Sequence, residues 1–270
     1  AREGDSIAAV LTEPVMCNTG CILPQPGYLE AMRELTAKHG IVLIFDEVIT
    51  GFRFARGGAQ EWFGVTPDLT TYAKGIGGGF PVAAIGGTTE AMRMIADGTY
   101  SHSGTYNANV VQCAAVSATM DILATPGLYE RQRALGDRLG RGLRSLAEEK
   151  GIDAYVEGIG TVFQLWFTDR PIRNWRDAAA YAHEDIFTRW YQEMVIRGVL
   201  FHPLQFENLF VSLVHTDADI DETLDAADAR LIRFLFRDCR RVTLKLMGGG
   251  FSGNLVAGTT SIDVQGHEQV

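Results

Sequence analysis

The stretch Ile41-Val42-Leu43-Ile44-Phe45-Asp46-Glu47-Val48 constrains the fold more than any other part of the chain. An unbroken apolar run that ends in carboxylates is the signature of a strand buried on both faces of a parallel sheet. It delivers charge to the sheet's carboxyl end, where open α/β folds bind their ligands. Upstream, Ile7–Leu11 reads as a strand, Glu13-Pro14 ends it, and Asn18, Gly20, Pro24 and Pro26 make a loop. From Gly27 to His39, Leu29, Met32 and Leu35 recur at helical spacing before Gly40. Strand, loop, helix and strand in that order predict a βαβ unit. The chain opens almost at once on a strand with no covering helix, and so reads as starting in mid-domain.

Beyond Pro67-Asp68, the segment Thr70-Thr71-Tyr72-Ala73-Lys74 places a lysine directly before Gly75-Ile76-Gly77-Gly78-Gly79. A lysine amine forms Schiff bases with carbonyls once desolvated or set beside other positive charge. A carboxylate at a strand end, such as Asp46, needs a cationic partner or bears a desolvation cost. Pyridoxal phosphate requires this combination: a lysine to hold its aldehyde and an acid to keep its ring nitrogen protonated, so that the ring acts as an electron sink. Strand alternation sends Asp46 and Glu47 to opposite faces and puts Val48 on the Asp46 side. Arg53 could bind a substrate carboxylate or pair with Asp68, and the ion pair is the expectation.

Further along, Val82–Gly87 reads as a strand and Thr89–Asp97 as a helix. The polar segment Tyr100–Asn109 follows, with His102 read as structural. Val110–Leu123 is alanine-rich and apolar, and is expected to be a buried helix. After Pro126-Gly127, a helix over about Leu128–Lys150 presents Leu135, Leu139, Leu143 and Leu146 on one face. Strands near Ala154–Val156 and Thr161–Phe167, a helix over Asp177–Ile196, strands at Val199–Phe201 and Leu209–Val214, and a helix from Asp217 to about Phe236 predict an α+β unit. Asp217 and Asp219 are read as its N-cap and acidic first turn. The expected organisation is 1–127, 128–238 and a tail, 239–270, left unplaced. The glycines at 248–253 lack the Gly-Lys-Ser/Thr ending of a phosphate loop and read as flexible.

Composition removes several classes of function. A net charge of −9, with no basic run beyond Arg237, Arg240, Arg241 and Lys245, argues against a nucleic-acid partner. Cys17, Cys21, Cys113 and Cys239 lack zinc-ligand or disulfide-framework spacing, so no metal is expected and a reducing cytoplasm fits. No apolar run approaches the roughly 20 residues of a membrane span.

Together Phe45-Asp46-Glu47-Val48, Thr50-Gly51-Phe52-Arg53, Thr66-Pro67-Asp68, Lys74 and Gly77-Gly78-Gly79 resemble the class III aminotransferases of PLP fold type I. The resemblance runs from about Ile7 to Phe236. Glu13-Pro14-Val15 with Asn18, and Gln205-Phe206-Glu207 followed by Phe210-Val211-Ser212-Leu213 and His215-Thr216, resemble the glutamate-1-semialdehyde aminomutase branch. Tyr106-Asn107-Ala108-Asn109, after Thr105, departs from the Gly-Asn-Pro type of continuation. The resemblance implies an α/β large domain, mostly parallel with helices on both faces, and a smaller C-terminal α+β domain. It implies that Lys74 forms the Schiff base with pyridoxal 5'-phosphate, that Asp46 pairs with the pyridinium nitrogen, and that Val48 packs on the ring. Asn18 would lie by the ring hydroxyl, and Glu207 near the substrate pocket. Thr105 would reach the phosphate held by the neighbouring subunit of a homodimer, which puts the site at the subunit interface. The implied activity is amino transfer between an amino compound and a keto acid or aldehyde. Intramolecular aminomutation, a non-catalytic remnant, and racemase or decarboxylase chemistry are the alternatives. A phosphate-binding loop and a ring-stacking aromatic would precede Ile7.

Overall fold

A computed structural model describes residues 6–235, 239–247, 256–263 and 268–269, with side chains described as far as residue 228. Arg237 and the glycines at 248–253 lie outside the described residues.

The first sheet has the order β1-β2-β3-β4, comprising β1 (Ala9–Thr12), β2 (Val42–Asp46), β3 (Leu69–Tyr72) and β4 (Ala84–Gly87). The first three are mutually parallel and β4 runs antiparallel at the edge. Helix α1 (Tyr28–Lys38) makes the crossover from β1 to β2, and the short α2 (Gly58–Phe63) lies between β2 and β3. Leu43 and Phe45 of β2 are fully buried and pack with Leu29 of α1 and with Val65, which is why that apolar run forms the sheet's centre. The βαβ reading and the parallel sheet are borne out. Gly40 takes φ +64 just after α1, in the left-handed region that favours glycine there.

Helices α3 (Thr89–Ala96) and α4 (Val110–Leu123) follow. α4 has the predicted bounds but not the predicted burial. Val110, Val111 and Ile122 are 80%, 58% and 56% exposed, and within α4 only Leu123 is buried. Its apolar residues lie all round the helix, so the composition that suggested a core helix leaves an apolar surface uncovered.

Helix α5 (Leu128–Glu149) buries Leu135, Leu139 and Leu143 against the second sheet, as the spacing predicts, with Leu146 partly buried beside them. Gly136 lets α5 approach that sheet's turn: a Cβ there would lie 1.9 Å from the Gly160 carbonyl oxygen. The second sheet is antiparallel, in the order β5 (Tyr155–Ile159), β6 (Val162–Trp166), β7 (Leu209–Phe210). Its other cover is two helices, α6 (Trp175–Tyr181) and α7 (Glu184–Ile196), where one was expected. Ala182 turns to ψ 135 with no glycine or proline to signal it, and Glu184 and Asp185 form a new acidic first turn. Val199–Phe201 forms no strand, and the strand expected over Leu209–Val214 stops at Phe210. Phe201 instead turns its ring into the cluster of Phe187, Trp190 and Tyr191.

Helix α8 (Asp217–Leu235) packs on α5. Its capping differs by one residue from the expectation. The Thr216 hydroxyl accepts from Asp219 N at 3.4 Å while Asp219 Oδ2 accepts from Thr216 N at 2.7 Å, a reciprocal box with Thr216 as the cap. The segment left unplaced carries β8 (Cys239–Met247), β9 (Val256–Asp263) and β10 (Glu268–Gln269), paired antiparallel. Among the described residues no helix is long and apolar enough to cross a membrane, and no His/Cys/Asp/Glu group could hold a metal ion.

Candidate active site

The three parallel strands each end in a segment carrying a predicted site residue. β1 leads into the Glu13–Gly20 loop with Asn18, β2 ends on Asp46, and β3 is followed by Lys74. Parallel pairing therefore sets these segments side by side at one end of the sheet, the usual ligand edge of such folds.

Asp46 sits opposite Thr71 in register, three positions before Lys74 in the chain. Its Oδ1 accepts from Val48 N at 3.0 Å and from the Thr71 hydroxyl at 3.3 Å. Among the described residues Oδ2 accepts nothing. The carboxylate is thus oriented through one oxygen and offers the other. β2 stops at Asp46, so strand geometry does not extend to Val48, yet the alternation of burial does: Asp46 and Val48 are half-buried while Phe45, Glu47 and Ile49 are buried.

Glu47 turns the other way into a closed network. Its Oε2 accepts from Ala59 N at 2.6 Å and the Thr50 hydroxyl at 3.1 Å, and its Oε1 from Gln60 N at 3.1 Å and Gln60 Nε2 at 3.2 Å. Burial pushes its carboxyl above the usual range, opposed by those hydrogen bonds. It anchors the start of α2 and the turn after β2 and offers no oxygen to a ligand.

Lys74 opens a short 3₁₀ turn, Lys74–Gly77, with φ +49. A non-glycine residue held in the left-handed region stores local strain and is concentrated at functional positions. Its side chain is exposed and makes no ion pair or hydrogen bond among the described residues. Asn18 is tied down through its nitrogens: Nδ2 donates to Glu13 Oε1 at 3.1 Å and its N–H to Glu13 Oε2 at 3.3 Å, which leaves Oδ1 without a partner among the described residues.

Glu207 lies in the turn before β7, half-buried, its carboxylate unpaired among the described residues. The next residue links that turn to the Asn18 loop, because buried Asn208 donates Nδ2 to the Cys17 carbonyl at 2.9 Å. Thr105 is not brought to this cluster. It is exposed in the loop before α4, beside an open groove of about 880 Å³ lined by Ile76, Val82, His102, Tyr106 and Gln112.

The expected Arg53–Asp68 ion pair does not form. Arg33 takes Asp68 at 3.0 Å, and Asp68 also accepts from Leu43 N at 2.7 Å. Arg53 instead lies over the Phe210 ring, 4.8 Å from its centroid, and burial lowers its guanidinium below the usual range. Residues that sequence reasoning passed over include the buried thiols of Cys17 and Cys21. A hydrogen bond from the Cys17 thiol to Cys21, then burial, raises Cys17 well above the usual thiol range. Gln164 was passed over as well, although its polarity inside the apolar run Val162-Phe163-Gln164-Leu165-Trp166 was a visible signal.

Comparison with known proteins identifies the family and the fold. Residues 1–231 match the family described as Aminotransferase class-III. A glutamate-1-semialdehyde 2,1-aminomutase 2 of Brevibacillus brevis is 45% identical over 225 residues, which cover 83% of this chain and 52% of that protein. An omega-transaminase structure from Sphaerobacter thermophilus superposes with a TM-score of 0.79 at 34% identity, covering 86% of this chain and 53% of that one. A transaminase structure with PLP bound gives 0.77 at 27% identity, covering 87% and 54%. The chain spans about half the length of the curated relatives it matches, 52% in the first case.

Proposed function

This chain belongs to the class III aminotransferases, and from that premise we propose that it supplies the lysine-bearing part of a pyridoxal 5'-phosphate enzyme that transfers amino groups. The observation that carries the reading is the pairing of Asp46, with one free carboxylate oxygen, and Lys74, with an uncommitted amine, on adjacent parallel strand ends.

The donor set fits the cofactor. Lys74 Nζ would hold its aldehyde, Asp46 Oδ2 would accept the N–H of its ring, Asn18 would lie by its ring hydroxyl, and Val48 would pack on the ring. When bound, the cofactor supplies an electron sink for charge developing at the carbon next to the transferred nitrogen. The residues do the rest. Asp46, anchored by Val48 N and the Thr71 hydroxyl, keeps its negative charge fixed on the ring's side of the sheet. Lys74, once displaced by the incoming amine, removes and returns a substrate proton at Nζ, general acid–base work that needs a nearby amine of adjustable charge. Glu207, on the turn held to the Asn18 loop, lines the substrate side and can act on that amine's charge.

In this reading residues 1–127 belong to the cofactor domain and 128–238 to a smaller domain, divided at Pro126-Gly127. The enzyme is a homodimer with Thr105 serving the neighbouring subunit's phosphate. The apolar surface of Phe80, Tyr100, Tyr106, Val110 and Val111 beside that loop supports a covered face. The buried cysteines Cys17 and Cys21, which form no disulfide, suit a cytoplasmic setting.

A second reading, intramolecular aminomutation, is favoured by the 45% identity to the Brevibacillus protein. Product analysis on the full-length enzyme separates the two. Turnover of an amine only when a keto acid or aldehyde acceptor is added identifies a transaminase, and isomerisation of an amino aldehyde without acceptor identifies an aminomutase. Absence of both with cofactor bound would contradict amino transfer.

A further inference from the structure

β6 is buried along its whole length, yet Gln164 stands in its middle with no exposed surface. A buried amide costs free energy unless its donors and acceptor are all used. Gln164 uses both ends. Nε2 donates to the carbonyls of Gln205, at 2.5 Å, and of Glu207, and Oε1 accepts from Leu165 N at 2.8 Å. Gln205, itself buried, returns a bond from Nε2 to the Leu165 carbonyl at 2.9 Å. The two carbonyls gripped by one amide flank Phe206, whose ring packs edge-on to Trp166 at 6.0 Å.

The same strand also braces the loop of Asn18. The Trp166 indole lies so close to Gly20 that a Cβ there would sit 2.3 Å from Cζ2, and the Cys21 thiol donates to the Val162 carbonyl at 3.4 Å. With Asn208 bonded to Cys17, the turn 205–208 is fixed to β6 on one side and to the Asn18 loop on the other.

We propose that Gln164 is the positioning residue for Glu207, its amide setting the 205–207 backbone so that the Glu207 carboxylate stays on the substrate side of the Asn18 loop. This rests on the reading of Glu207 as a substrate-side carboxylate. The amide holds the carbonyls on either side of Phe206, one of them Glu207's own, so the backbone from which that carboxylate projects is fixed to β6.

The test is a cycle of Gln164→Leu, Glu207→Gln and the double variant in the full-length holoenzyme, with kcat and KM measured across pH. Gln164→Leu is expected to lower kcat/KM by about tenfold or more with cofactor absorbance unchanged, and to cost nothing further in the Glu207→Gln background. It should also move the limb of the pH profile that Glu207→Gln removes. Gln164→Met, which removes the amide at nearly the same volume, is expected to show the same non-additivity and serves if Gln164→Leu does not fold. Additive losses, or an unmoved pH limb, would overturn the proposal. A silent Glu207→Gln variant in an enzyme whose Lys74 still carries cofactor would overturn it too, and would leave the proposed amino transfer standing.

Discussion

Asp46 and Thr71 face each other across adjacent parallel strands, and the Thr71 hydroxyl donates to Asp46 Oδ1 at 3.3 Å while Lys74 follows three positions on. The pairing fixes the acid on β2 against the strand whose end leads, through Ala73, into the lysine.

Replacing Asp46 by Asn keeps the oxygen that accepts from Val48 N and Thr71 and removes the charge offered to a ring nitrogen. The expected outcome is a thermal midpoint close to wild type with amino-transfer kcat lower by about 100-fold or more, the usual cost of removing a charge-stabilising group from a dry site. Steady-state kinetics beside a melting curve checks it. Activity within a fewfold of wild type would remove Asp46 from the role assigned to it.

If Thr105 serves the neighbouring subunit, inactive chains should complement one another. A heterodimer of Lys74→Ala and Thr105→Ala chains holds one intact site, made from Lys74 of the second chain and Thr105 of the first. Mixing the two full-length variants after partial denaturation and refolding should regain activity that neither has. No regain from demonstrated heterodimers places Thr105 in its own chain's site or in none.

Glu47 gives a pH signature of stability. Its carboxyl is raised by burial, so the native state favours the protonated form more than the unfolded chain does. That contribution is complete below the ordinary glutamate range and is lost as pH rises through the raised value. The stability advantage of wild type over Glu47→Gln should therefore shrink with rising pH, measured by urea unfolding at a series of pH values. An advantage that grows with pH would show the carboxyl to be lowered instead.

The sheet end that carries the candidate site was legible because its signals are local. An apolar run ending in Asp46, a lysine before glycines, and a helix of period 3.6 between strands each reflect backbone geometry over a few residues. The α4 surface was not, because exposure depends on what else covers a helix, and fourteen apolar-rich residues read alike in either case. Arg53 was misassigned for a similar reason. Asp68 lies near several cations in sequence terms, and only the placement of α1 brings Arg33 to it. The break between α6 and α7 carries no glycine or proline, and the bond from Asn208 to Cys17 spans 191 positions, beyond any local pattern.

In the proposed enzyme Lys74 is the residue that holds the cofactor. The direct measurement is borohydride reduction of the full-length enzyme with pyridoxal 5'-phosphate, followed by peptide mass spectrometry. The phosphopyridoxyl mass should sit on the peptide containing Lys74 and be absent from the Lys74→Ala variant. Labelling on Lys38 or Lys150 instead, or equal labelling of the variant, would contradict it.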